Sequence, residues 1–321
     1  MSVTRRRYLE RVGCLGGAAT AGVLGGCTSN GQRGSDSVTV RIGSKPFIEQ
    51  RILGYLAYER LRTADQIRAV DDIGDGDSLS NWEATSSGDR HLYWEYTATA
   101  WARLPPRRER RITDAGTLFQ RVRSDARSRG VRMAEPAPFS NEYVIVADKA
   151  WAEAIGVSTI SELAAYFRNA DGDPGIALNE AFYHRPDGWH GLLSRYGVSS
   201  DGRDSLESGT FIVTSVGLTY ELLERGSVRV ANGFATDPQL DRSTLTVLED
   251  DREYFLPYQP APTASAPMIE AHPEVFDRLS PVVTALDRPA MRRLNGRVLL
   301  HGDNPFAVAK EFENEVVDDD A

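Results

Sequence analysis

The stretch that decides the fold is Val38-Thr39-Val40-Arg41-Ile42-Gly43-Ser44-Lys45-Pro46-Phe47-Ile48-Glu49-Gln50. Val38, Val40 and Ile42 alternate with polar residues, which is the period of a half-buried strand. Gly43-Ser44 turns the chain, and apolar residues then recur at helical spacing from Ile48 to Leu61. The same succession is expected further on. Strands are expected near 91–96, 143–147, 175–178, 228–232 and 244–248, and helices near 114–128, 159–168, 187–196, 216–225 and 304–316. Strand followed by helix, many times over, implies an α/β architecture with a largely parallel sheet. In such folds ligands sit at strand ends or between lobes.

The first residues read as a targeting segment. Arg5-Arg6-Arg7-Tyr8-Leu9 is a basic start with a twin arginine, and the Gly- and Ala-rich run Val12–Gly26 is too short to span a bilayer as a stable helix. Leu24-Gly25-Gly26-Cys27 has small residues just before a cysteine, as a lipobox does. Residues 1–26 are therefore expected to be a twin-arginine lipoprotein signal, with lipid attached to Cys27. Residues 27–37, polar and glycine-containing, are expected to be a flexible tether. The expected location is outside the cell, on the outer face of the cytoplasmic membrane. The only other cysteine, Cys14, falls in the removed segment, so no disulfide is expected.

The formal net charge is −9. The removed segment carries four arginines and one glutamate, which leaves the mature chain more acidic still. Nucleic acid is a poor partner for such a surface, because phosphate binding needs a basic face. Lysine occurs only at positions 45, 149 and 310. An acidic, lysine-poor surface is the composition of a protein adapted to high salt, where surface charges are screened. It also singles out Lys45, placed at the first strand-to-helix turn.

Catalytic patterns are absent. The five histidines (His91, His184, His190, His272 and His301) form no HExxH and no zinc-like spacing, and no GxSxG, P-loop or GxGxxG occurs. No catalytic residue, metal or cofactor is expected. The one enzymatic alternative is an exported hydrolase using His184 or His190. Aromatic residues are better placed. Tyr93, Trp94, Tyr96 and Trp101 cluster, and Tyr143, Phe182, Tyr183, Phe234, Tyr254, Phe255 and Tyr258 fall near expected strand ends or turns. Trp94 and Tyr220 read as packing.

Gly43-Ser44-Lys45-Pro46-Phe47-Ile48-Glu49-Gln50 resembles the opening motif of the glycine betaine/choline (quaternary amine) ABC importer substrate-binding proteins. The resemblance continues through Glu95-Tyr96-Thr97-Ala98-Thr99, Asn141-Glu142-Tyr143 and Arg185-Pro186-Asp187-Gly188. It runs on through Gly217-Leu218-Thr219-Tyr220, Phe234-Ala235-Thr236-Asp237 and Leu248-Glu249-Asp250-Asp251, and ends with Phe255-Leu256-Pro257-Tyr258 and Leu294-Asn295. These motifs stand in the family's order across about residues 38–315.

The resemblance implies a two-lobed periplasmic-binding-protein fold of type II, a Venus flytrap with two hinge crossings. Residues 38–140 and 238–318 are expected to form lobe 1 and residues 141–237 lobe 2, with crossings near Ser140 and at 234–237. It implies an aromatic cage of Tyr96, Tyr143, Phe234 and Tyr258 around a trimethylammonium group, and a carboxylate held by Lys45, Thr99 and Arg185. Phe234 stands where many members have tyrosine. The implied ligand is glycine betaine or a related osmolyte, with choline or carnitine as the alternative. The implied partner is a membrane permease driven by cytoplasmic ATPase subunits. A quaternary ammonium has no N–H to donate, so ring faces rather than hydrogen bonds must select it. Arg185 offers a planar fork to a carboxylate, and Pro186 is expected to open a helix whose amino end adds partial positive charge.

Overall fold

The computed structural model describes residues 37–169 and 172–319, with 318–319 as main chain only. The expected signal, the lipid site at Cys27 and all of the tether but Ser37 lie outside the described residues. Ten strands are present: β1 (Val38–Gly43), β2 (Ile67–Asp72), β3 (Leu92–Tyr96), β4 (Val131–Met133), β5 (Tyr143–Asp148), β6 (Ile176–Asn179), β7 (Phe211–Thr214), β8 (Val230–Phe234), β9 (Leu245–Leu248) and β10 (Pro260–Ser265). They form two five-stranded sheets, in the orders β2-β1-β3-β10-β4 and β7-β6-β8-β5-β9. Helices cover both sheets, giving a two-lobed α/β fold.

The sheets are built to one plan. In each, three strands consecutive in sequence are parallel, and the fourth position is taken by an antiparallel strand, β10 in the first sheet and β5 in the second. That inserted strand is, in each lobe, the first strand made after the chain crosses into it. Each sheet is therefore mixed, which corrects the expectation of one largely parallel sheet. β10 carries Pro260 and Pro262 inside a central strand. Prolines lack the N–H that a ladder needs, which removes the usual strand signal. Here their carbonyls are used instead, accepting from Ala137 N and Ala134 N at 2.9 Å.

The return crossing also differs from expectation. β9 pairs antiparallel with β5, so residues 245–248 belong to the second sheet. The chain rejoins the first sheet only at β10, which places the crossing within 249–259 rather than at 234–237. The two crossings run side by side: Asn141 N donates to Tyr258 O (3.0 Å), and Tyr258 N donates to Ser140 Oγ (2.8 Å).

The opening strand, turn and helix are as the sequence implies. In the helix Ile48–Arg62, Ile52, Leu53, Leu56, Ala57 and Leu61 form a fully buried stripe. This stripe packs into a core shared with Val40 and Ile42 of β1 and with Val308, Ala309 and Phe312 of the C-terminal helix Pro305–Asp319. The chain's last helix therefore closes the core that its first strand opens. The second lobe has its own core around Ile145, Leu178, Phe182, Trp189 and Tyr196.

Candidate ligand-binding site

A cavity of about 780 Å³ opens between the lobes. All seven residues expected to touch a ligand line it: Lys45, Tyr96, Thr99, Tyr143, Arg185, Phe234 and Tyr258. They come from six places in the fold, with Arg185 following the helix Glu180–His184. Lys45 lies in the turn after β1. Tyr96 ends β3, and Thr99 is in the helix Thr97–Arg103 that follows directly. Tyr143 opens β5 and Phe234 closes β8, while Tyr258 lies in the return crossing.

On the first-lobe wall, Tyr96 is buried and its ring stacks on Phe47 at 6.2 Å and 17°. Lys45 Nζ lies 4.8 Å from the centre of the Tyr96 ring and 2.5 Å from Glu95 Oε1, which also accepts from Tyr96 N. Lys45 is thus an ion-paired lysine in the cavity wall. The turn that carries it is pinned by Ser44, whose hydroxyl donates to Lys45 O and accepts from Gly74 N. Tyr96 Oη donates to Glu49 Oε1 at 2.6 Å. Burial, and then the Glu49 charge, push the Tyr96 phenol well above its ordinary pKa.

On the second-lobe wall, Tyr143 and Phe234 are register partners across β5 and β8, with ring centres 4.6 Å apart. Phe182 backs Tyr143 at 4.8 Å. Arg185 makes a two-point pair with Asp187 (2.8 and 2.6 Å), donates to Tyr258 Oη at 3.1 Å, and lies 5.8 Å from the Tyr143 ring centre. Burial works to lower the Arg185 pKa, but the Asp187 hydrogen bonds together with the Tyr258, Asp187 and Tyr143 electrostatics outweigh it, and the net shift is upward. Burial raises Tyr143 and Tyr258, with Arg185 opposing the shift at both.

Pro186 does not open a helix. Arg185 caps the carboxyl end of the short helix Glu180–His184, and the next helix begins at Trp189 with Gly188 as its N-cap. A tight turn intervenes, in which Gly188 N donates to Arg185 O. A β-carbon at 188 would meet Phe182 O at 1.8 Å, so only glycine fits. The expected helix-end charge beside Arg185 is therefore not supplied by this segment.

The sequence reading did not assign a role to several cavity residues: Phe47, Glu49, Arg103, Asn141, Asp237 and Asn295. Five of these stand inside motifs quoted above, but a glutamate in a first helical turn reads as a solvated, dipole-favoured residue. Asp237 Oδ2 accepts from Tyr220 Oη (2.7 Å) and Phe234 N (2.8 Å), which fixes the end of β8 that carries the Phe234 ring. Tyr220 is indeed buried, as is Trp94. His190 pairs with Glu207 at 3.0 Å, and Tyr183 shares that glutamate. Neither His184 nor His190 lines the cavity. Among the described residues, no group of three His, Cys, Asp or Glu is placed to hold a metal ion, and no helix is long and apolar enough to cross a membrane.

The family model for the substrate binding domain of the ABC-type glycine betaine transport system matches residues 38–315. A glycine-betaine-binding protein of Pseudomonas aeruginosa is 30% identical over 88% of this chain and 89% of its own length. The chemotactic signal transduction system substrate-binding protein CosB of Halobacterium salinarum is 28% identical over 86% of this chain and 84% of its own. A solved glycine betaine/carnitine/choline ABC transporter structure superposes with a TM-score of 0.73 at 22% identity, covering 86% of this chain and 98% of that one. These relatives are transport and signalling binding proteins, which sets aside the hydrolase alternative. The chain belongs to the family of substrate-binding domains of ABC-type glycine betaine transport systems.

Proposed function

We propose that the interlobe cavity captures glycine betaine or a related quaternary-ammonium osmolyte outside the cytoplasm, for osmoprotection. The observation that carries this reading is the meeting of ring faces from both lobes on one cavity, Tyr96 from the first and Tyr143 with Phe234 from the second, beside Lys45, Thr99 and Arg185. Tyr258, in the crossing, completes the cage. Each desolvated ring contributes on the order of 0.5–2 kcal/mol to holding such a cation. Contacts from both lobes make closure depend on occupancy, since a ligand shifts an equilibrium only through its differential affinity for the two states. The closed protein docks on an ABC permease with cytoplasmic ATPase subunits. A lipid on Cys27 keeps it at the membrane and raises its local concentration there.

The test is calorimetric titration at high salt with glycine betaine, proline betaine, choline, carnitine and ectoine. Heat from one or more quaternary amines is expected, and silence from all of them sinks the reading. The similarity to CosB favours a second reading of the partner, in which the loaded protein reports to a chemotactic transducer rather than a permease. Loss of betaine uptake on deletion of the chain separates the two partners.

A further inference from the structure

Four glutamates are buried among the described residues: Glu49, Glu59, Glu95 and Glu313. Three have a basic partner. Glu59 pairs with Arg62 at 2.6 Å, Glu95 with Lys45 at 2.5 Å and Glu313 with Arg60 at 2.9 Å. Glu49 does not. It is 4% exposed, it lines the interlobe cavity, and its hydrogen-bond partners are neutral: Tyr96 Oη at 2.6 Å, Asn141 Nδ2 at 3.0 Å and Asn295 Nδ2 at 3.0 Å.

Tyr96, Asn141 and Asn295 donate to it, and the Thr236 hydroxyl also favours its charged form. Hydrogen bonds donated to the charged form stabilise it, so this surrounding suits the carboxylate. The amide of Asn295 is oriented independently, because Nδ2 also donates to Thr236 O at 3.1 Å. Burial opposes this by raising the Glu49 pKa, as it does for any carboxylate taken from water. A buried charge without a counter-ion is costly. The cations that line the cavity do not meet this need: Lys45 is engaged by Glu95, Arg185 by Asp187, and Arg103 is solvent-exposed.

We propose that the missing counter-ion of Glu49 is the ligand itself, and that Glu49 is the residue that makes the cavity select a cationic head group over a neutral group of the same shape. This rests on the quaternary-amine reading above and deepens it. The carboxylate acts at the cage wall through Tyr96, whose phenol it polarises. A ring whose hydroxyl donates to an anion presents a more negative face to a cation. The rings alone supply a shape that any trimethyl group fills and a modest preference for a cation. The charge behind them supplies the larger part of the discrimination between nitrogen and carbon at its centre. Through Asn141 and Asn295, the same carboxylate touches the start of the second lobe and the helix Arg288–Leu299 of the first, so its neutralisation is felt where the lobes join.

The test compares glycine betaine with 3,3-dimethylbutanoate, in which carbon replaces the ammonium nitrogen and the carboxylate is kept. Wild-type protein is expected to prefer betaine, and Glu49→Gln to reduce that preference by about tenfold or more, the scale of one charge pair at an effective dielectric of about 20. Glu49→Asp keeps the charge and is expected to keep the preference, even where absolute affinity drops. If Gln and Asp lower affinity for both probes by the same factor, Glu49 is structural and the proposal is overturned. It is also overturned by wild-type protein that binds the two probes within tenfold of each other, a readout that needs no variant. Wild-type protein that binds no quaternary amine at all overturns the functional reading instead, and this inference falls with it.

Discussion

Tyr143 and Phe234 stand opposite each other in the register of β5 and β8, with their ring centres 4.6 Å apart. One side of the proposed cage is thus a cross-strand aromatic pair, held by sheet hydrogen bonds rather than by loop conformation. Phe234→Ala is expected to weaken betaine binding by about 3- to 30-fold, the range for one desolvated ring. Phe234→Tyr keeps the aromatic face and is expected to retain binding. Calorimetry on both variants checks this, and unchanged affinity in Phe234→Ala removes Phe234 from the cage.

The Lys45–Glu95 pair is buried on both sides. Lys45→Met leaves Glu95 as an uncompensated charge and is expected to lower stability on the order of 3–5 kcal/mol. The double variant Lys45→Met, Glu95→Gln is expected to recover most of that stability without recovering betaine affinity. Chemical denaturation alongside titration separates the two effects. A double variant that binds betaine normally would show that Lys45 holds the wall of the cavity and nothing else.

Arg185 is shared between Asp187 and the cavity. Asp187→Asn frees the guanidinium for a ligand carboxylate, so affinity for glycine betaine is expected to rise, by roughly tenfold at most, while choline, which has no carboxylate, gains nothing. Equal changes for the two ligands would take Arg185 out of carboxylate recognition.

Asp237 gives a pH signature. Its pKa is raised, chiefly by burial, with the Phe234 N–H, the Tyr220 hydroxyl and Arg292 opposing. In the unfolded chain the group ionises near pH 4. A raised folded-state value means that the native state holds the proton longer, so the stability contribution is full below about pH 4 and is lost as pH rises through the folded value. Relative to Asp237→Asn, wild-type protein is therefore expected to be more stable at pH 4 than at pH 7. Urea midpoints of both proteins at the two pH values check the sign.

Much of the cavity lining was legible in the residues. The turn carrying Lys45, the Tyr96–Thr99 spacing and the strand-end tyrosine at 143 are local patterns, and local patterns survive in sequence. Glu49, Asn141 and Asn295 were not legible as a unit. They are separated by up to 246 positions, and nothing in a single glutamate says whether a lysine will be folded against it. The misplaced return crossing and the unrecognised β10 share one cause. Both depend on which strand pairs with which, and prolines at 260 and 262 hide a strand whose carbonyls do the pairing.

The sequence by itself determined the α/β alternation, the aromatic inventory and the ordered motifs that mark the family, because periodicity and residue chemistry act over a few positions. The tertiary structure alone decided the charge balance of the cavity. Lys45 met Glu95, Arg185 met Asp187, and Glu49 was buried beside neutral donors. Electrostatic pairing depends on distance through space and on exclusion of water, and neither quantity is defined until the lobes are folded.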